Sequence, residues 1–197
     1  NAWLSLVKKR NDQANATTSG SATRIYIMLS YFHTKLCAPD IHDPATGKLL
    51  LHRPPSISDA DFRQLPRPTP TDNHPFFKFN EARTWTKKSR VANVFAHDLI
   101  FIPLHQGNHW ALAVVNMRDQ RLEYYDSLAR FTCPKSKKSD RPCAEIQRWC
   151  EAEMLHKKRM EFDWTDWKTH VHRPTPQQDN EFDCGVFMCQ ARCRAVG

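Results

Sequence analysis

The stretch from Leu99 to Ser127 leaves this chain few ways to fold. Leu99-Ile100-Phe101-Ile102-Pro103-Leu104 is a short unbroken apolar run, which reads as a strand buried on both faces. A turn at Gln106-Gly107-Asn108 follows, and His109–Asn116 and Arg121–Ser127 then form two strands joined through Met117-Arg118-Asp119-Gln120. Folding that hairpin about its turn puts the start of the first strand beside the end of the second. His109 and Asp126 therefore share one end, offset by about two to three residues, and adjacent strands can bring imidazole and carboxylate together.

The flanking segments supply helices. Ile25, Met28, Leu29, Phe32 and Leu36 recur at helical spacing within Arg24–Leu36, which predicts a core-packing helix. Asp140 can cap a second helix with Pro142 in its first turn, a stripe of Ile146, Trp149, Cys150 and Met154, and the basic ending His156-Lys157-Lys158-Arg159. Trp167–His172 alternates as a strand, and Arg173-Pro174-Thr175-Pro176 breaks it. The proline-free run Gly185–Cys193 reads as a last helix, with Val186, Cys189 and Cys193 on one face. Between Cys37 and Pro75 the periodicity disappears and eight of the thirteen prolines gather, so about 37–75 is expected to be a surface insertion without elements of its own. The order of helix, strands, helix, strand, helix is that of an α+β fold.

With 197 residues, 40% hydrophobic and 25% charged, the chain fits one domain, 1–197, and no apolar stretch is long enough to span a membrane. The missing initiator Met and signal peptide suggest an excised piece of a longer protein. Seven cysteines, odd in number and without a C-x-x-C pair, disfavour a disulfide framework and a zinc ribbon, and neither a metal nor a cofactor is expected. A net charge of +8 favours an acidic partner.

The chemistry centres on Pro176-Gln177-Gln178-Asp179-Asn180-Glu181-Phe182-Asp183-Cys184-Gly185, a polar loop running into the last helix. It sets Cys184 at a helix N-terminus, where unpaired N–H groups and the positive end of the helix dipole favour the nucleophilic thiolate. Gln178, six residues upstream, could join the Cys184 backbone N–H in binding the oxyanion of an acyl-transfer intermediate. With His109 as base and Asp126 as its orienting group, the set is complete for nucleophilic catalysis. Taken singly, a buried Cys is more often a small hydrophobe and a strand-end His a surface residue.

The surrounding wording decides between these readings. Trp85-Thr86-Lys87-Lys88, His109-Trp110 with Ala113-Val114-Val115, Tyr124-Tyr125-Asp126-Ser127, Pro176-Gln177-Gln178 with Asn180, and Asp183-Cys184-Gly185-Val186-Phe187 strongly resemble the SUMO-specific (sentrin-specific) cysteine proteases, in the same order from about Trp85 to Cys193. The resemblance implies a papain-like fold, a central mixed or antiparallel sheet flanked by helices, with permuted His-Asp-Cys order. In it Cys184 is nucleophile, His109 base, Asp126 orienter and Gln178 oxyanion donor. It implies cleavage after the C-terminal Gly-Gly of SUMO, maturing SUMO precursors and releasing SUMO from lysines, by a monomer in the nucleus and also the cytoplasm, without membrane or nucleic acid. Trp110 would form one wall of the channel for the Gly-Gly tail. The opposite wall would come from Trp3, although Trp3-Leu4-Ser5-Leu6 lacks the aspartate of the family's Trp-Leu-x-Asp motif. The family domain runs on well beyond its catalytic helix, so the sequence reads as one truncated at the C-terminus. The competing readings are a protease for another ubiquitin-like modifier, or a catalytically inactive module that holds SUMO or nucleic acid through its basic residues.

Overall fold

The run at Leu99–Leu104 does form a strand buried on both faces, with Leu99, Ile100, Phe101, Ile102 and Leu104 all inaccessible to solvent. The computed structural model describes residues 9, 13, 23–37, 41–42, 49–50, 77–87, 93–106, 108–128, 140–172 and 176–196. In chain order the elements are β1 (Ile25–Ile27), α1 (Phe32–Cys37), β2 (Ile41–His42), β3 (Leu49–Leu50), α2 (Phe79–Ala82), a 3-10 turn (Val94–Ala96), β4 (Leu99–Gln106), β5 (His109–Asn116), β6 (Arg121–Tyr125), α3 (Asp140–Lys158), β7 (Lys168–His172) and α4 (Cys184–Val196).

Five strands form one mixed sheet in the order β1-β4-β5-β6-β7. The three central strands pair antiparallel, and both outer strands, β1 on β4 and β7 on β6, pair parallel. Side chains alternate across a strand, so each central strand feeds two cores. Ile100, Ile102, Leu104, Ala111, Ala113, Val115, Leu122 and Tyr124 cluster with Phe32, Leu36, Phe79, Ile146 and Trp149 of the three helices on one side. On the other, Leu99, Phe101, Leu112, Val114 and Tyr125 join Ile25, and Met188 of α4 packs onto them. Fully burying each large apolar side chain contributes roughly 1.5–3 kcal/mol. Trp149 is the largest of them, with its ring centroid 5.2 Å from Phe32 in an edge-on contact. The α+β class and the mixed sheet are as expected.

Three local expectations need correction. Arg24–Leu36 is not one helix: Ile25–Ile27 is a strand, with Ile25 paired to Leu99, and α1 begins only at Phe32. Ile-Tyr-Ile is a β-branched and aromatic triplet, and pairing with β4 outweighs the helical period that Ile25, Met28, Leu29, Phe32 and Leu36 happen to fit. Leu29, one of those positions, is 57% exposed. The 37–75 stretch is not without elements, since β2 and β3 pair antiparallel through Ile41 with Leu50 and His42 with Leu49. Strands of two residues are too short to carry a readable period. Finally, the face of α4 turned to the sheet carries Met188, while Val186 is 56% exposed and belongs to no core.

Candidate active site

The loop that precedes α4 is fastened to the end of β6 by amides. The backbone N–H of Gln178 donates to the carbonyl of Ser127 at 3.0 Å, and the Ser127 hydroxyl donates back to Gln178 Oε1. Gln177 Nε2 donates to the carbonyl of Asp126 at 3.1 Å. Gln178 is fully buried, with its Nε2 donating to the carbonyl of Asn180, so both ends of its amide are fixed. The sequence placed Gln178 here; it did not show Ser127 and Gln177 as the braces that hold it.

Asn180 turns the chain into the helix. Its Oδ1 accepts the N–H groups of Phe182 at 3.1 Å and Asp183 at 2.9 Å, an Asx turn, and its Nδ2 donates to Asp183 Oδ2 at 2.7 Å. The carbonyl of Asp183 then accepts from Val186 at 2.9 Å and Phe187 at 3.0 Å, which opens α4 with Cys184 as its first residue. Cys184 is a buried free cysteine. The readable signal for this turn was an Asn four residues ahead of the thiol, with an Asp directly before it.

The hairpin brings its two groups together as its register demands. Leu112 pairs with Tyr125, so Asp126 falls opposite Ala111, two residues along from His109. His109 Nε2–H donates to Asp126 Oδ1 at 2.7 Å. Burial would raise the Asp126 carboxyl, but the hydrogen bond from His109, the Leu128 N–H at 2.8 Å, the charge of the imidazole and the Tyr124 hydroxyl together bring it below the ordinary aspartate value. Asp126 holds Nε2, and the other ring nitrogen, Nδ1, is buried and has no hydrogen-bond partner among the described residues.

The thiol and the imidazole sit on packed elements. α4 lies against β5, and a Cβ placed on Gly185 would stand 3.9 Å from Cδ1 of Trp110, the residue after His109. The Trp110 ring in turn lies 4.4 Å, centroid to centroid, from that of His105. Trp110 is thus at the first turn of α4, beside Gly185. Trp3, the other expected wall, lies outside the described residues. Among the described residues the only group of three metal donors, His33, Cys37 and Glu145, is separate from this set.

A thiol opening a helix, an imidazole on the strand packed beside it and a carboxylate holding that imidazole are the parts of a thiol hydrolase site. Residues 60–193 match the profile of the "Ulp1 protease family, C-terminal catalytic domain", and the chain belongs to that family. It is 32% identical over 112 residues to a sentrin-specific protease of Caenorhabditis elegans, covering 57% of this chain and 15% of the relative. It is 34% identical over 113 residues to ubiquitin-like-specific protease 1A of Arabidopsis thaliana, covering 57% and 21%. Human sentrin-specific protease 2 is 30% identical over 114 residues, covering 57% and 18%. The chain thus spans about a fifth or less of these relatives' length. Its fold resembles the C-terminal domain of the yeast Ulp1 protease, solved in complex with the SUMO orthologue Smt3, with a TM-score of 0.59 at 17% identity over 96% of this chain and 63% of that one. A de-sumoylating protease gives the same TM-score at 19% identity, covering 98% and 60%.

Proposed function

We propose that this chain is the catalytic part of a cysteine protease that cleaves after the C-terminal Gly-Gly of SUMO, both in precursors and in conjugates on lysine. The observation that carries the reading is the His109–Asp126 pair, on β5 and directly after β6, with α4, which begins at Cys184, packed against β5. The relatives named for sentrin and ubiquitin-like substrates, and the Smt3 complex of the yeast protease, support the choice of modifier.

Cys184 Sγ attacks the carbonyl carbon of the terminal glycine as His109 Nδ1 takes the thiol proton. The carbonyl electrons move to oxygen, and the resulting oxyanion is held by the Cys184 backbone N–H and the Gln178 amide. Collapse expels the lysine amine, which leaves with the proton from His109. Water, deprotonated by the same imidazole, then hydrolyses the thioester and frees the thiol. Asp126 keeps the ring in the tautomer these steps need. Trp110 walls the tail channel, where a residue without a side chain fits. Trp3 remains its proposed counterpart. The enzyme works as a monomer, in the nucleus and cytoplasm, without nucleic acid.

The test is covalent capture. SUMO ending in Gly-Gly and carrying a C-terminal electrophile should form a one-to-one adduct located on Cys184 by mass spectrometry, and Cys184→Ala should abolish both the adduct and hydrolysis of SUMO-lysine. Capture of ubiquitin or another modifier in preference to SUMO would overturn the substrate assignment while leaving the protease. No capture by any modifier, from folded protein, would return the chain to a binding module.

A further inference from the structure

Beneath the sheet, on the side away from α4, three side chains with metal-binding atoms meet where α1 and α3 come together. His33 and Cys37 are four residues apart on α1, a spacing that puts them on one face of a helix. Glu145 reaches them from α3, 112 residues from His33 in sequence. One ligand atom from each lies within 4.8 Å of the others. His33 and Glu145 are buried and Cys37 is half-buried. We propose that His33, Cys37 and Glu145 form a zinc site that ties α1 to α3, with water as its fourth ligand.

The donor chemistry selects the metal. One imidazole nitrogen, one thiolate and one carboxylate are the mixed nitrogen, sulfur and oxygen set that suits zinc, whereas magnesium and calcium take oxygen alone. Zinc bonds of about 2.0–2.3 Å in a tetrahedron set donors about 3.3–3.8 Å apart. Donors now within 4.8 Å need only small side-chain adjustments to reach that spacing.

The contact already present points the same way. His33 Nε2 and Glu145 Oε2 are 2.7 Å apart inside the core, and zinc bound on that nitrogen would bring the imidazole and the carboxylate onto one ion.

The sequence could not show this site. Only the His-x3-Cys half is local, and the carboxylate lies 112 residues from His33 in sequence.

The experiment uses the chelator-treated whole chain, titrated first with Co²⁺ as a coloured substitute and then with Zn²⁺. One equivalent of Co²⁺ should bring a thiolate charge-transfer absorption with tetrahedral d–d bands, and one equivalent of Zn²⁺ should erase them. The signal should persist in Cys184→Ala, which removes the thiol of the candidate active site, and disappear in Cys37→Ser. Zn²⁺ should raise the melting temperature of the parent and of Cys184→Ala, but not of Cys37→Ser. A signal that survives Cys37→Ser, or one lost in Cys184→Ala, would overturn the proposal. If Cys37→Ser does not fold, the parent decides alone: bound Zn²⁺ must protect Cys37 from alkylation, mapped by mass spectrometry, and equal labelling with and without the metal would sink the site.

Discussion

Two imidazole–carboxylate pairs among the described residues have the same 2.7 Å separation between Nε2 and carboxylate oxygen, in different surroundings. In the pair at the end of the β5–β6 hairpin, the His109 and Asp126 side chains are 19% and 9% exposed; in the pair between α1 and α3, those of His33 and Glu145 are 5% and 1% exposed. Around Asp126 the carboxylate also takes a backbone N–H and a tyrosine hydroxyl, which hold it ionised and fix the ring beside it. A short His–carboxylate bond is therefore no mark of catalysis. What separates the two is exposure, together with α4 and its Cys184 packed on the strand that carries His109.

The sharpest way to break that contrast is to disable the two carboxylates in the same manner. Asp126→Asn should lower kcat for SUMO-lysine hydrolysis by about 10⁴, the size of loss when a triad carboxylate gives up control of its histidine tautomer, with melting shifted far less than activity. A rate within tenfold of the parent would mean that another group orients His109. Gln178→Ala should cost about 10²–10³ in kcat with KM little changed, the usual effect of one oxyanion donor. Because Ser127 fixes the Gln178 amide, Ser127→Ala should reproduce part of that loss. A pure KM effect in Gln178→Ala would contradict the role.

Glu145→Gln should act on stability instead, costing about 3 kcal/mol because it upsets a buried pair whose partner stays in the core. The folded fraction should keep its kcat, measured beside a urea unfolding curve. A fall in kcat as large as that of Asp126→Asn would erase the distinction between the pairs. The smallest effect is on pH. The Asp126 carboxyl is lowered in the folded chain, so it contributes stability above the unfolded aspartate value near 3.8, and that contribution is lost as pH falls through the folded value. The stability gap between parent and Asp126→Asn should thus be present at pH 6 and close toward pH 3; a gap that widens in acid would reverse the sign.

The same contrast marks what the residues disclosed in advance. β4, β5, β6 and α3 were readable because each is long enough for its burial to impose a pattern: an unbroken run, a hairpin, and a stripe behind Pro142. β1 was not, because three residues paired to a distant strand leave a trace that a helix can imitate. The candidate site was legible in its wording and in the hairpin's geometry, which set Asp126 two residues along from His109. Its braces, Ser127 on Gln178 and Gln177 on the Asp126 carbonyl, and the His33–Glu145 pair depend on side chains brought together only by the finished fold.

The parallel partnership of β1 with β4 also bears on the order in which the chain folds. Arg24 donates its backbone N–H to Asp98 at 2.6 Å and its guanidinium to the same carboxylate at 3.3 Å, across a separation of 74 residues. The hairpin of β5 and β6 closes through a four-residue turn, so it can form within microseconds, whereas β1 must wait for a long loop to find its end. Closure entropy grows only with the logarithm of length, by about 0.6 kcal/mol per doubling, so the proline-rich stretch slows that search modestly. The β5–β6 hairpin is thus expected to form before the sheet edge at β1 closes, and substitutions at Arg24 and Asp98 should change the unfolding rate more than the folding rate.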